Sequence, residues 1–105
     1  MAHGEITVRE LAALGEGVRL IDVREESEWD EIRVPYAIHV PLGAVPDRLE
    51  LFDGTPTYVI CRSGGRSGRA CEFVAEQGHD AVNVQGGMIA WCDADLLTVS
   101  GQPDA

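Results

Sequence analysis

The chain has 105 residues, of which 45% are apolar and 6% aromatic, enough for one packed core and too little for two independent ones. Its formal net charge is -10, and all 8 basic residues are arginine, so generic attraction to nucleic acid or to an anionic membrane is disfavoured. The N-terminal "MAHGEITVRE" has no basic segment leading into an apolar run, and no stretch approaches transmembrane length; a cytoplasmic protein of one domain, residues 1–105, is expected.

Short β-branched runs alternate with helix-like patches, the pattern of an α/β domain with a mainly parallel sheet. The first strand is expected at Ile6 and Thr7. In "TVREL", Thr7 can cap a helix with Glu10 three places on; Val8, Leu11 and Ala12 share one face and Gly15 ends it. A strand at Val18 to Val23 precedes a short helix capped by Ser27 that buries Trp29 and Ile32. The third strand is Ala37 to Val40. Pro46 suits the first turn of a helix on which Val45, Leu49 and Phe52 recur at i, i+4 and i+7. The fourth strand is Thr57 to Ile60. Ala70, Phe73 and Val74 then mark a helix that Gly78 stops, and Ala81 to Val84 is the fifth strand. "GGMIAW" is too short to assign from spacing, and "SGQPDA", from about residue 101 on, reads as a frayed tail.

Between Asp53 and Glu72 the chain carries no acid, yet it holds Arg62, Arg66 and Arg69. Two of these lie in "CRSGGRS", Cys61 to Ser67, between the carboxyl end of a strand and the start of a helix, where ligands of parallel sheets gather. Gly64 and Gly65 let the backbone curl with its N–H groups inward, and the helix end adds free N–H groups and a positive dipole end. The result is an anion cradle. A helix end contributes about 0.3–1 kcal/mol, up to ~2 when partly buried, which lowers a thiol from about 8.5 to no less than roughly 7; inward N–H groups and arginine supply the rest. A cysteine serving as a small buried hydrophobe would leave the Gly-Gly pair and its flanking arginines unexplained. Cys71 reads as core filler and Cys92 as structural. With no C-x-x-C pair, and with His3, His39 and His79 scattered, neither a disulfide framework nor a metal site is expected; His39 and His79 are not expected to be catalytic.

Phosphoryl transfer and sulfur-atom transfer both suit a thiol in such a cradle. Cysteine-dependent phosphatases carry C-x5-R, whereas Cys61 to Arg66 is C-x4-R, a smaller ring that suits one extra sulfur atom. "LIDVREESEWDE", "VPYAIHVPLG", "VICRSGGRS" and "VNVQGGMIAW" together resemble the rhodanese family of sulfurtransferases. The resemblance implies a rhodanese-like α/β fold, a five-stranded, mainly parallel sheet flanked by helices. It implies Cys61 as the catalytic sulfur carrier and Arg62, Ser63, Gly64, Gly65, Arg66 and Ser67 as the substrate-binding loop, with no cofactor and no metal.

The implied reaction moves a sulfane sulfur from a small-molecule donor such as thiosulfate to a thiophilic acceptor, cyanide or a thiol, through a Cys61 persulfide. Persulfide relay to a protein partner uses the same chemistry, and a phosphatase or arsenate reductase fits the loop length less well. Sulfite leaves without proton help, which suits a loop with no acid nearby. Asp22 and Arg24 of "DVRE" are expected to form a structural ion pair, and Gly86 and Gly87 to let the backbone pass close to the loop. In "EIRVPYA", Ile32, Arg33 and Tyr36 stand where the family usually has Gly, His and Gly, so a remodelled turn is expected there.

Overall fold

A computed structural model of the chain describes residues 4–54 and 56–101; His3 and the expected tail beyond Gly101 lie outside the described residues. Strands β1 (Gly4–Ile6), β2 (Arg19–Asp22), β3 (Ile38–His39), β4 (Thr57–Ile60) and β5 (Ala81–Val84) form one sheet in the order β1-β5-β4-β2-β3, with every neighbouring pair parallel. The α/β reading holds, and the ladder is wholly parallel. Strands β4 and β5 fall where the continuous apolar runs placed them, while β2 and β3 are shorter than read.

Helices α1 (Val8–Ala13), α2 (Glu26–Glu31), α3 (Gly65–Glu76) and α4 (Gly87–Asp93) join a 3-10 segment, Leu42–Phe52. Alternation along the strands sorts side chains into two apolar layers. Val59 and Cys61 face one layer, with Ile21, Ala70, Val74 and Phe52, while Ile60 faces the other, with Leu11, Leu20 and Trp91. Leu11, Leu20 and Ile21 have no exposed surface, and each such burial contributes about 1.5–3 kcal/mol. No helix among the described residues is long and apolar enough to cross a membrane.

The N-terminal capping box forms as read: the Glu10 N–H donates to Thr7 Oγ1 at 3.1 Å and the Thr7 N–H to Glu10 Oε1 at 3.0 Å. The second helix starts differently. Its N-cap is Glu25, whose N–H donates to Glu28 Oε1 at 2.9 Å, and Ser27 lies inside the helix. A serine cap would have left the Glu25–Glu28 reciprocal pair unused. Trp29, stacked on His39 of the edge strand β3, and Ile32, one residue past the helix, are only half-buried. Pro46 falls within the 3-10 segment rather than in its first turn, and helical geometry breaks at Arg48 (φ -129°).

At the C-terminus, Arg33 and Val99 exchange backbone hydrogen bonds of 2.9 and 3.0 Å, the Gly101 N–H reaches Asp30 O at 2.6 Å, and Arg33 Nη1 donates to Gly101 O at 2.6 Å. Residues 99–101 are therefore clasped onto the turn after α2. In the turn where a departure from the family is expected, Arg33 is buried, spans Trp29 O and Gly101 O, and lies 4.9 Å over the Trp29 ring. Tyr36 needs no glycine-like backbone, since Asp95 (φ 59°) is the one non-glycine residue with positive φ among the described residues.

Candidate active site

Strand β4 is central in the sheet and delivers Cys61 directly into the loop that starts α3. Gly64, the N-cap of α3, sits at φ 109°, ψ -9°, a left-handed conformation that glycine adopts at little cost. That turn aims its own N–H back at the cysteine, 3.0 Å from Sγ. The Ser67 hydroxyl lies 3.3 Å from the same sulfur. Cys61 is 1% exposed, and its burial acts to raise the thiol pKa; the Ser67 hydroxyl and the N–H groups of Ser67, Gly64 and Ser63 outweigh it and leave the thiol below its ordinary value. The lowering thus comes from fixed dipoles pointing at the sulfur.

The loop keeps this orientation because α4 pulls on its other side. The N–H groups of Met88 and Ile89 donate to the carbonyls of Cys61 and Arg62 at 2.8 and 3.0 Å. In a planar trans peptide the carbonyl and the next N–H point in opposite directions, so drawing these carbonyls toward α4 turns the N–H groups of Arg62 and Ser63 away from it. Close approach requires Gly87: a Cβ there would lie 2.6 Å from the carbonyl carbon of Arg62, and its φ is 54°. The expected close approach therefore has a geometric basis at Gly87, whereas a Cβ at Gly86 would meet Ala90 of α4, 2.6 Å away, rather than the loop.

The arginines divide. Arg62 is exposed. Arg66 makes a two-pronged ion pair with Glu28 of α2, at 2.7 and 2.8 Å. This corrects the reading of a cradle with no acid nearby: residues 54–71 carry none, but the fold brings one from another helix. The Arg66 guanidinium holds the Glu28 carboxyl down to about 2, and Glu28 in turn raises Arg66.

Helix α2 is itself fixed from β2. Arg24 donates from Nε to Asp22 Oδ1 (3.0 Å) and from Nη2 to Asp22 Oδ2 (2.8 Å), with further bonds to the carbonyls of Glu28 (3.3 Å) and Ile32 (2.6 Å). Both ions are buried, so the expected Asp22–Arg24 pair forms and its remaining protons anchor the helix that presents Glu28.

Asn83 of β5 is a residue that the sequence reading passed over. Its Oδ1 accepts from the Ser67 hydroxyl at 2.5 Å, and its Nδ2 donates to Gly64 O at 3.1 Å. The available signal was an amide inside a buried strand, where polar residues are depleted and need partners.

Among the other candidates, Cys71 lies in the apolar layer with 0% exposure, and burial pushes its thiol up to about 12; it is core filler, as read. Cys92 is exposed, contrary to its structural reading, because α4 turns Trp91 inward and the next residue outward. His39 stacks on Trp29 at 4.7 Å with Nε2 2.8 Å from Arg24 O, and His79 lies 3.8 Å from Asp53 Oδ1. Neither ring is among the groups bonded to the Cys61 sulfur. Among the described residues, no group of three or more His, Cys, Asp or Glu side chains is arranged to hold a metal ion.

The family model for the rhodanese-like domain matches residues 7–94. YtwF of Bacillus subtilis is 45% identical over 85 residues, which span 80% of this chain and 82% of that protein. A protein of Allochromatium vinosum named sulfurtransferase is 37% identical over 87 residues, 81% of each chain. The crystal structure of a rhodanese-like domain protein from Staphylococcus aureus superimposes with a TM-score of 0.79 at 38% identity, covering 84% of this chain and 90% of that one.

Proposed function

The chain belongs to the rhodanese-like domain family, and from that premise we propose that it is a sulfurtransferase that carries a sulfane sulfur on Cys61, taken from a donor such as thiosulfate and passed to cyanide or a thiol. The observation that carries this reading is the Cys61 sulfur with the Gly64 N–H at 3.0 Å and the Ser67 hydroxyl at 3.3 Å, in a loop whose carbonyls are drawn off to α4. Such a pocket stabilises an anionic sulfur without a histidine base.

In the first half-reaction the Cys61 thiolate attacks the outer sulfur of thiosulfate. The donor S–S bond breaks, sulfite leaves with its electron pair, and a Cys61 persulfide remains. In the second, the acceptor attacks the outer persulfide sulfur, the Cys61 S–S bond breaks, and the thiolate is regenerated. Arg62, exposed beside the thiol, and the N–H groups of the loop from Ser63 to Ser67 are the groups for an incoming oxyanion. Arg66 acts differently from a phosphate-binding arginine: its fork is engaged by Glu28, which weighs against the phosphatase and arsenate reductase readings.

Intact mass after incubation with thiosulfate tests the proposal. The expected result is a gain of one sulfur that cyanide removes and that Cys61→Ser does not show; equal thiocyanate release by the variant refutes it. Stoichiometric uptake from a cysteine desulfurase, with very poor thiosulfate turnover, would assign the persulfide to relay between proteins.

A further inference from the structure

We infer that Asn83 is a positioning residue that controls where the single hydroxyl proton of Ser67 points, and through it how readily the Cys61 sulfur becomes an anion. The geometry stands alone, and its catalytic consequence rests on the sulfurtransferase reading above.

The orientation of the Asn83 amide is fixed by what surrounds it. Its Nδ2 lies 3.1 Å from Gly64 O and 3.5 Å from Glu5 Oε2. A carbonyl and a carboxylate can only accept, so the NH2 group must occupy that side and the Oδ1 must face Ser67. Oδ1 also only accepts. The Ser67 hydroxyl therefore has to donate to it, across 2.5 Å, while the same oxygen lies 3.3 Å from Cys61 Sγ. A hydroxyl has one proton and two lone pairs, so two acceptors compete for one donor.

With a neutral thiol the chain is satisfied: the Cys61 S–H donates to Ser67 and Ser67 donates to Asn83. When the thiol proton leaves to solvent, the sulfur becomes an acceptor. Ser67 can serve it only by rotating its proton away from Asn83, and the Oδ1 of a residue 5% exposed loses that donor. No proton is gained or lost at Ser67 or Asn83. Once Cys61 carries a second sulfur, its Sγ is uncharged and the negative charge sits on the outer atom, so the Ser67 proton returns to Asn83. The amide thus disfavours the empty thiolate and favours the loaded carrier.

The other groups acting on this sulfur are the Ser63, Gly64 and Ser67 N–H groups, Arg66 with its Glu28 partner from α2, and the Cys71 thiol on α3; Glu5 of β1 acts through Asn83. None of these offers Ser67 a second proton.

The test is the pH midpoint of iodoacetamide alkylation at Cys61, resolved by peptide mass, in the wild type, Asn83→Leu, Ser67→Ala and the double variant. Asn83→Leu frees the hydroxyl for the sulfur and should lower the midpoint by about one pH unit. Ser67→Ala should raise it by roughly a few tenths of a unit alone and by about one unit in the Asn83→Leu background. A midpoint that rises or stays fixed in Asn83→Leu, or an equal Ser67→Ala effect in both backgrounds, overturns the inference.

If Asn83→Leu does not fold, the side-chain carbonyl carbon of Asn83 in the wild type decides by NMR. It should titrate with Cys61 in the direction of a lost hydrogen bond, and an invariant signal overturns the inference. Coupling without sulfur uptake from either thiosulfate or a cysteine desulfurase refutes the functional reading and leaves this one standing; uptake without coupling does the reverse.

Discussion

Cys61 and Cys71 lie in the same apolar layer, 1% and 0% exposed, yet one thiol sits below its ordinary pKa and the other is pushed up to about 12. Depth of burial does not distinguish them. At Cys71 the surrounding helix has spent its N–H groups on its own ladder, and the sulfur meets hydrocarbon. At Cys61 the chain is between a strand and a helix, where N–H groups have no intrahelical partner and the fold aims them at the sulfur. What separates the two thiols here is the direction of a few peptide groups, held from outside the loop by α4, while α2 holds the Arg66 side chain.

Removing those supports should make Cys61 behave more like Cys71. The largest effect is expected for Arg24→Met, which strands the buried Asp22 carboxylate and releases α2; urea unfolding should show a loss of about 3–5 kcal/mol, with a rise in the Cys61 alkylation midpoint. Gly87→Ala comes next. Its methyl group would displace the Cys61–Arg62 carbonyls, and a misplaced loop should lower the rate of sulfur uptake from thiosulfate by about 100-fold.

Glu28→Gln leaves the Arg66 fork with a neutral partner and should cost roughly 1 kcal/mol at pH 7, given that the ion pair is a quarter exposed. The sign follows from linkage: Glu28 titrates near 2 when folded against an ordinary 4.5, so its contribution is full above about 4.5 and fades as pH falls toward 2. The gap between variant and wild type in urea titrations should close over that window, and a gap that persists at pH 2 would exclude the ion pair as its source. Cys71→Ala is the smallest change, with about 1 kcal/mol of lost stability and a Cys61 midpoint that moves less than in Arg24→Met; an equal or larger movement would mean that the neighbouring thiol, and not the aimed peptide groups, sets the Cys61 pKa.

The parts of this design that were legible in the sequence are contiguous. Thr7 and Glu10 are three residues apart, the runs at 57–60 and 81–84 are bounded by turn residues, and the glycines and arginines of the loop follow Cys61 directly. The parts that were not legible depend on the sheet order. Glu28 meets Arg66 because β2 and β4 are neighbours, a pairing that no local pattern encodes. Asn83 reaches Ser67 because β5 flanks β4 on the other side. The Glu25 cap of α2 is hidden because glutamate is a weak cap by propensity, and its selection here comes from the reciprocal bond with Glu28. The exposure of Cys92 is equally hidden, because the short run "GGMIAW" does not show which side of α4 faces water.

Helix α4 grips the loop through main-chain hydrogen bonds, Met88 and Ile89 lending their N–H groups to the carbonyls of Cys61 and Arg62. The side chain of Ile89 is 44% exposed and takes no part in those hydrogen bonds. Substitutions at this position can therefore change the exposed face of α4 while the main-chain bonds that hold the Cys61–Arg62 carbonyls stay in place.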